Sequence, residues 1–230
     1  MKKVPLAHLM RPSSLEEFVG QEHFIGSGKL LRRMLEAGNI TSLIFYGPPG
    51  CGKTTLARIV AGHIDAVFHY LSAPAASVKD IREIISKARD RLIERKKKTL
   101  LFIDEIHRFN RAQQDVLLDD VENGILLLIG ATTENPFFSV NSPLISRSTV
   151  LQFEPLKPED ILSILKRAVE DKDRGFGMMN VEADPKALEF LAIMSDGDAR
   201  KALTGLEVAV LSRKKEGQTG RIVVDLTNAK

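Results

Sequence analysis

Short apolar runs recur along the first two thirds of the chain, each stopping at a glycine, a hydroxyl or a carboxylate. Leu43-Ile44-Phe45-Tyr46, Leu100-Leu101-Phe102-Ile103 and Ile125-Leu126-Leu127-Leu128-Ile129 are too short for core helices and too uniformly apolar for half-exposed strands. They read as strands buried on both faces. Weaker strand signals lie at about 66–71 and 149–153. Between the runs the spacing turns helical. Leu56, Ile59, Val60 and His63 follow the first run, and Val78, Ile81, Ile85, Ala88 and Leu92 form a stripe over 78–94 amid solvated lysines and arginines. Five strands alternating with helices predict an α/β fold, a five-stranded parallel sheet flanked by helices. After Phe153-Glu154-Pro155 the strand signals cease. Pro158 before Ile161-Leu162-Ile164-Leu165, Asp184-Pro185 before Ala187-Leu188-Leu191, and Asp198 before Leu203, Leu206 and Val210 mark three capped helices. The expected organisation is an α/β domain over 1–155 and a small all-helical lid over 156–230, with residues 171–177 a polar connector.

The break between the first strand and its helix carries the strongest chemical signal. Gly47-Pro48-Pro49-Gly50-Cys51-Gly52-Lys53-Thr54-Thr55 satisfies the phosphate-loop pattern G-x-x-x-x-G-K-[ST]. Glycines let the backbone turn close to an anion and aim successive N–H groups at it, and the helix that follows adds its N-terminal donors. Lys53 supplies a point charge for the β- and γ-phosphates, and the Thr54 hydroxyl is a hard oxygen suited to Mg²⁺. The pattern predicts a nucleoside triphosphate site over Pro48, Pro49, Gly50, Cys51, Gly52, Lys53, Thr54 and Thr55.

A second constellation closes the 100–103 run. Asp104 and Glu105 stand at the carboxyl end of a buried strand, the edge at which open parallel sheets bind ligands. Two acids suit two tasks: Asp104 to hold Mg²⁺, Glu105 to orient and polarise the water that attacks the γ-phosphate. The third run ends in Gly130-Ala131-Thr132-Thr133-Glu134-Asn135. If that strand lies between the other two, Thr133 or Asn135 is placed to sense the γ-phosphate or the attacking water; a polar turn capped by Pro136 explains the same composition.

Composition narrows the class. The 33 basic and 30 acidic residues leave a net charge of +3, too little to argue for nucleic acid on its own. The single cysteine, Cys51, excludes an internal disulfide and a cysteine-built metal site and suits a reducing compartment. No apolar run approaches the ~18 residues of a membrane span, and the first residues lack the apolar core of a signal peptide. The expectation is a cytoplasmic protein without a membrane partner, nucleoid-associated if bacterial.

Taken together, the phosphate loop, Asp104-Glu105-Ile106-His107 and Gly130-Ala131-Thr132-Thr133-Glu134-Asn135-Pro136 resemble an AAA+ ATPase. They look more closely like the RarA group of replication-associated recombination proteins, whose relatives include the eukaryotic Werner-helicase-interacting proteins. Met10-Arg11-Pro12, Phe18-Val19-Gly20-Gln21-Glu22-His23, Val78-Lys79-Asp80-Ile81-Arg82, His107-Arg108-Phe109-Asn110 and Gln113-Gln114-Asp115 extend the match. The resemblance implies roles that spacing does not. Arg147 matches the arginine finger that one subunit inserts into its neighbour's site, and Arg200 the second sensor that reaches the nucleotide from the lid; residue types alone would read both as surface arginines. Arg11, Val19 and Gly20 match the box enclosing adenine. The resemblance also implies ATP and Mg²⁺, DNA ends, gaps or forks as partners, a homo-oligomer of the full-length protein, and a single-strand-binding protein as a further partner.

Departures from the family pattern are Cys51 where threonine is usual, Ser148 in place of cysteine or alanine, and Thr204 in place of asparagine. Family members continue into a further helical region involved in assembly and DNA interaction, which this chain is expected to lack. The leading expectation is a DNA-dependent ATPase of replication-fork maintenance and recombination or repair. The alternatives are a clamp-loader subunit or Holliday-junction branch-migration motor and, from another class, a nucleotide-gated scaffold without productive turnover.

Overall fold

The computed structural model describes residues 4–212 and 221–229, which group into two units. Of the described residues, one unit comprises 21–48 and 53–154, and the other 4–20, 49–52, 155–212 and 221–229.

The first unit is built on a parallel sheet. Its strands are β1 (Ser42–Tyr46), β2 (Val67–Ser72), β3 (Thr99–Asp104), β4 (Leu126–Thr132) and β5 (Ser148–Gln152), in the order β2-β3-β4-β1-β5. Leu43, Ile44 and Phe45 of β1 and Leu100 to Ile103 of β3 are fully buried, as the unbroken apolar runs predict for interior parallel strands. The partly exposed β2 and β5 form the edges. Helix α1 (Lys53–His63) packs across β2, β3 and β4, burying Leu56, Ala57 and Val60. Helix α2 (Val78–Arg95) covers the other face, where Ile81, Ile85 and Ala88 meet Leu101, Ile103 and Leu128. Its start is a capping box: the Asp80 amide donates to Ser77 Oγ and the Ser77 amide to the Asp80 carboxylate.

The second unit is mainly helical. Helices α3 (Pro158–Glu170), α4 (Pro185–Met194) and α5 (Ala199–Leu211) begin where the cap residues predict. Asp184 accepts from the Lys186 amide at 2.9 Å, and Asp198 from the Arg200 and Lys201 amides at 2.8 and 3.1 Å. Ile161, Leu165, Leu188, Leu203, Leu206 and Val210 form the core. Leu6 and Met10 are buried in that same core, so the N-terminal segment, assigned from sequence to the α/β domain, packs in the helical unit. A short parallel pair, β6 (Val181–Ala183) with β7 (Ile222–Val224), accompanies the helices. Three-residue strands carry too little alternation to be seen in sequence.

The polar connector is anchored rather than loose. Asp171 accepts from the amides of Asp173 and Arg174, and Phe176 is buried in the core. Arg174 donates through Nη1 and Nη2 to both carboxylate oxygens of Glu17 at 3.0 Å, and through Nε to Asp171. The hydrogen bonds from Arg174, helped by the Ser13 amide, hold the Glu17 carboxyl at about 2 instead of its ordinary 4.5. Because the folded state takes up this proton later than the unfolded chain, the pair's stabilisation is complete above about pH 4.5 and is lost as pH falls through about 2. The bidentate pair is about a third exposed, so solvent screening reduces its contribution to roughly 1–2 kcal/mol. Glu17→Gln should therefore lower the thermal midpoint at pH 7, with the two proteins converging near pH 2. A gap that stays constant with pH would assign Glu17 a packing role instead.

Candidate functional site

In the sheet unit, three strand ends meet the chemistry the sequence assigned to them. β4 lies between β1 and β3, with Tyr46 level with Thr132 and Ile103 level with Gly130. The carboxyl ends of the three strands therefore carry the start of the phosphate loop, Thr133 and Asp104-Glu105 along one edge. Parallel pairing through β4 is what brings them there, since some fifty residues separate Lys53 from Asp104 along the chain.

Gly47 opens the loop with its would-be Cβ position 2.3 Å from the Phe153 carbonyl oxygen, so no side chain fits. Lys53 begins α1 and turns its ammonium back over the loop, donating to the Gly47 and Pro48 carbonyls at 2.7 and 2.6 Å. Thr54 and Thr55 follow in the first turn of that helix. Within the helical unit, Gly50 and Gly52 have φ of +71° and +101°, conformations that aim consecutive amides into a concave turn. A Cβ on Gly50 would fall 1.8 Å from the Asp198 carboxylate, and one on Gly52 would strike the Phe18 ring. The Asp198 cap thus lies against the loop segment, and Arg200 stands exposed in the first turn of the helix it caps. Cys51 is buried.

Asp104 ends β3, and the Tyr70 hydroxyl donates to its Oδ2 at 3.0 Å. Glu105 is exposed and left-handed, with φ 55° and ψ 44°, a conformation costing about 1–2 kcal/mol for a residue with a Cβ. What imposes it is the short turn Ile106–Arg108: its ends are fixed by Ile106 and Phe109, both buried, and by the Arg108 amide donating to the Glu105 carbonyl at 2.8 Å. The strain projects a carboxylate into solvent just beyond the strand.

The β4 end distinguishes the sensor candidates Thr133 and Asn135 from each other and from their neighbour Thr132. Thr132 is buried, and its hydroxyl lies 3.0 Å from His107 Nδ1 and accepts from the Glu134 amide at 3.0 Å. Asn135 Oδ1 caps the turn Pro136–Ser139 by accepting from the Phe137 amide. Thr133 stands exposed between them. His107, quoted in sequence only as part of a motif, emerges as a tie between the turn after β3 and the end of β4. Its other ring nitrogen is 3.6 Å from the Glu134 carboxylate.

Arg147 is placed apart. It follows the turn Ser142–Ser146 and immediately precedes β5, at the amino end of the sheet. Ser148 is level with Ser42 and Gln152 with Tyr46, so about 13 Å of strand separates it from the edge that bears the loop. There its guanidinium donates to the Pro143 carbonyl at 3.0 Å and pairs with Glu122 at 3.1 Å. In the adenine-box segment, Arg11 is half-buried, Val19 packs on the helical core, and Gly20 at φ +81° faces Leu156. Gln21, next in the motif, is structural: its amide exchanges two hydrogen bonds with the Glu154 backbone at 2.8 and 2.9 Å.

The residues suit Mg²⁺ and a nucleoside triphosphate. Glycine amides and an ammonium are donors for phosphate oxygens, while Thr54 and Asp104 offer hard oxygens. Among the described residues no group of three or more His, Cys, Asp or Glu could cage a metal. Nor is any described helix long and apolar enough to cross a membrane.

A sheet ordered 2-3-4-1-5 with its loop after the first strand, joined in sequence to a small helical unit, is the plan of an AAA+ P-loop ATPase. A model of the Holliday junction DNA helicase RuvB P-loop domain matches residues 10–142, and one of an AAA C-terminal domain matches residues 177–230. Replication-associated recombination protein A of Haemophilus influenzae is 49% identical over 90% of this chain and 46% of its own length. Its Escherichia coli counterpart is 45% identical over 89% and 45%. The Holliday junction branch migration motor RuvB of Thermotoga maritima superposes with a TM-score of 0.76 at 30% identity, covering 96% of this chain and 71% of that one. The chain belongs to the replication-associated recombination protein A family of AAA+ ATPases. It spans about half the length of the curated relatives it matches.

Proposed function

We propose that this chain is the ATP-hydrolysing part of a DNA-dependent ATPase that acts in replication-fork maintenance and recombination or repair. The observation that carries the reading is the common strand edge bearing the phosphate loop, Thr133 and Asp104-Glu105. Bound Mg²⁺, held by Thr54 and Asp104, would neutralise phosphate charge. Lys53 moves from the loop carbonyls to the β- and γ-phosphates. Glu105 takes the attacking water's proton, Thr133 positions that water, and Arg200 approaches the phosphates from the first turn of α5. Arg11, Val19 and Gly20 line the adenine.

Arg147 serves a neighbouring copy, since it lies at the opposite end of the strands from its own loop. The site is therefore completed by assembly, and DNA ends, gaps or forks are the proposed stimulus. A single-strand-binding protein is a further partner and the cytoplasm the proposed location. The RuvB likeness in fold favours branch migration as the second reading.

Steady-state ATP turnover, measured with and without DNA ends alongside the solution mass, tests the proposal. Ends or gaps should raise turnover several-fold in a Mg²⁺-dependent manner. Stimulation confined to four-way junctions would favour the branch-migration motor, and stimulation confined to a sliding clamp would favour the loader. Binding without turnover under every condition would leave a scaffold.

A further inference from the structure

Tyr70 lies on β2, the outer strand beside β3. The register sets Tyr70 level with Phe102 and Ser72 level with Asp104, so all four side chains stand on one face and Tyr70 meets Asp104 along the diagonal. Its ring stacks on Phe102 with centroids 5.9 Å apart and planes at 24°. Phe102 stacks in turn on Phe68, beneath the Arg58 guanidinium. The ring is thus fixed through a chain of contacts, and its hydroxyl donates to Asp104 Oδ2 at 3.0 Å.

We propose that Tyr70 is a positioning residue that fixes the Asp104 carboxylate for the hydrated divalent ion accompanying ATP. The inference rests on the ATPase reading above. A carboxylate at a strand end with both oxygens in water samples several orientations, and each must be lost when an ion of strict octahedral preference is bound. Tyr70 removes that freedom beforehand, as outer partners of metal ligands do. It also approaches from β2, the side of β3 away from β4 and β1, and so occupies Oδ2 without standing on the loop side of Asp104. No motif in the sequence marks it; the diagonal exists only once β2 and β3 are in register.

The chain has two tyrosines and no tryptophan, so a Tyr46→Phe background leaves Tyr70 as its sole tyrosine emitter. A phenol hydrogen-bonded to a carboxylate emits weakly, and its fluorescence therefore reports the bond directly. In that background, Mg²⁺ titrated in the presence of a non-hydrolysable ATP analogue should change Tyr70 emission saturably. Asp104→Asn should raise the starting emission and abolish the response. Tyr70→Phe, which keeps the ring stack, should raise the Mg²⁺ midpoint for analogue binding roughly three- to tenfold. Metal-free analogue affinity and the thermal midpoint should stay unchanged.

An unchanged Mg²⁺ midpoint in Tyr70→Phe, or emission indifferent to the Mg²⁺–analogue complex while the analogue binds, overturns the positioning role and leaves the ATPase reading intact. Failure of the unsubstituted chain to bind the analogue with Mg²⁺ overturns both.

Discussion

Glu105→Gln should bind ATP with unchanged affinity and turn it over about 10²- to 10⁴-fold more slowly, the range by which a positioned general base accelerates proton transfer. The amide is the same size as the carboxylate, so the left-handed turn, which is imposed by Ile106 and Phe109, survives the change. Phosphate recognition also survives, because Lys53 and the glycine amides belong to a different strand end. What is lost is the negative charge that polarises water. Equilibrium binding of a fluorescent ATP analogue beside single-turnover hydrolysis separates the two steps. Turnover within threefold of the parent would remove Glu105 from the mechanism and leave Asp104 or a water chain as the base. Weakened binding with unchanged single-turnover rate would mean that the carboxylate shapes the loop instead.

An arginine finger contributes on the order of 10³–10⁵ to phosphoryl transfer, so Arg147→Ala should approach inactivity although the residue lies outside its own chain's site. Position is the reason: about 13 Å of β1 and β5 separates it from the edge bearing the phosphate loop. Within its own chain it is held by Glu122 and the Pro143 carbonyl, so engaging a neighbour exchanges a surface pair for a developing phosphate charge. The exposed pair with Glu122 contributes at most about 1 kcal/mol, so little opposes the exchange.

Complementation gives the decisive measurement. Mixing Arg147→Ala with Lys53→Ala at equal concentration places an intact finger beside an intact site at about a quarter of randomly assembled interfaces, and activity should return to about that fraction. Two inactive proteins that co-assemble, yet stay inactive when mixed, would show that Arg147 does not act across an interface.

How far the sequence reached differs from residue to residue. The phosphate loop was legible because its chemistry is local: glycine conformations, an ammonium and a hydroxyl must occur at fixed offsets within nine residues. Asp104-Glu105 was legible because buried parallel strands are continuous apolar runs whose ends are sharply marked. The helix starts at Pro158, Pro185 and Ala199 could be read because caps act within one turn. The placement of Leu6 and Met10 in the helical core could not, since an apolar residue carries no indication of which core will bury it. His107 looked like one letter of a motif until its ring was seen beside the Thr132 hydroxyl. Of the adjacent hydroxyls Thr132 and Thr133, structure alone shows that the first is committed inside the fold and the second faces solvent.

By itself the sequence determined which groups could bind a triphosphate and activate water, because those demands are met by neighbours along the backbone. Only the tertiary structure decided which of them share an edge and which are turned away. Strand order set β4 between β1 and β3, and register carried Tyr70 to Asp104 while leaving Arg147 at the far end of the sheet. Order and register follow from which apolar faces exclude water together, a property of the whole sheet that no single segment contains.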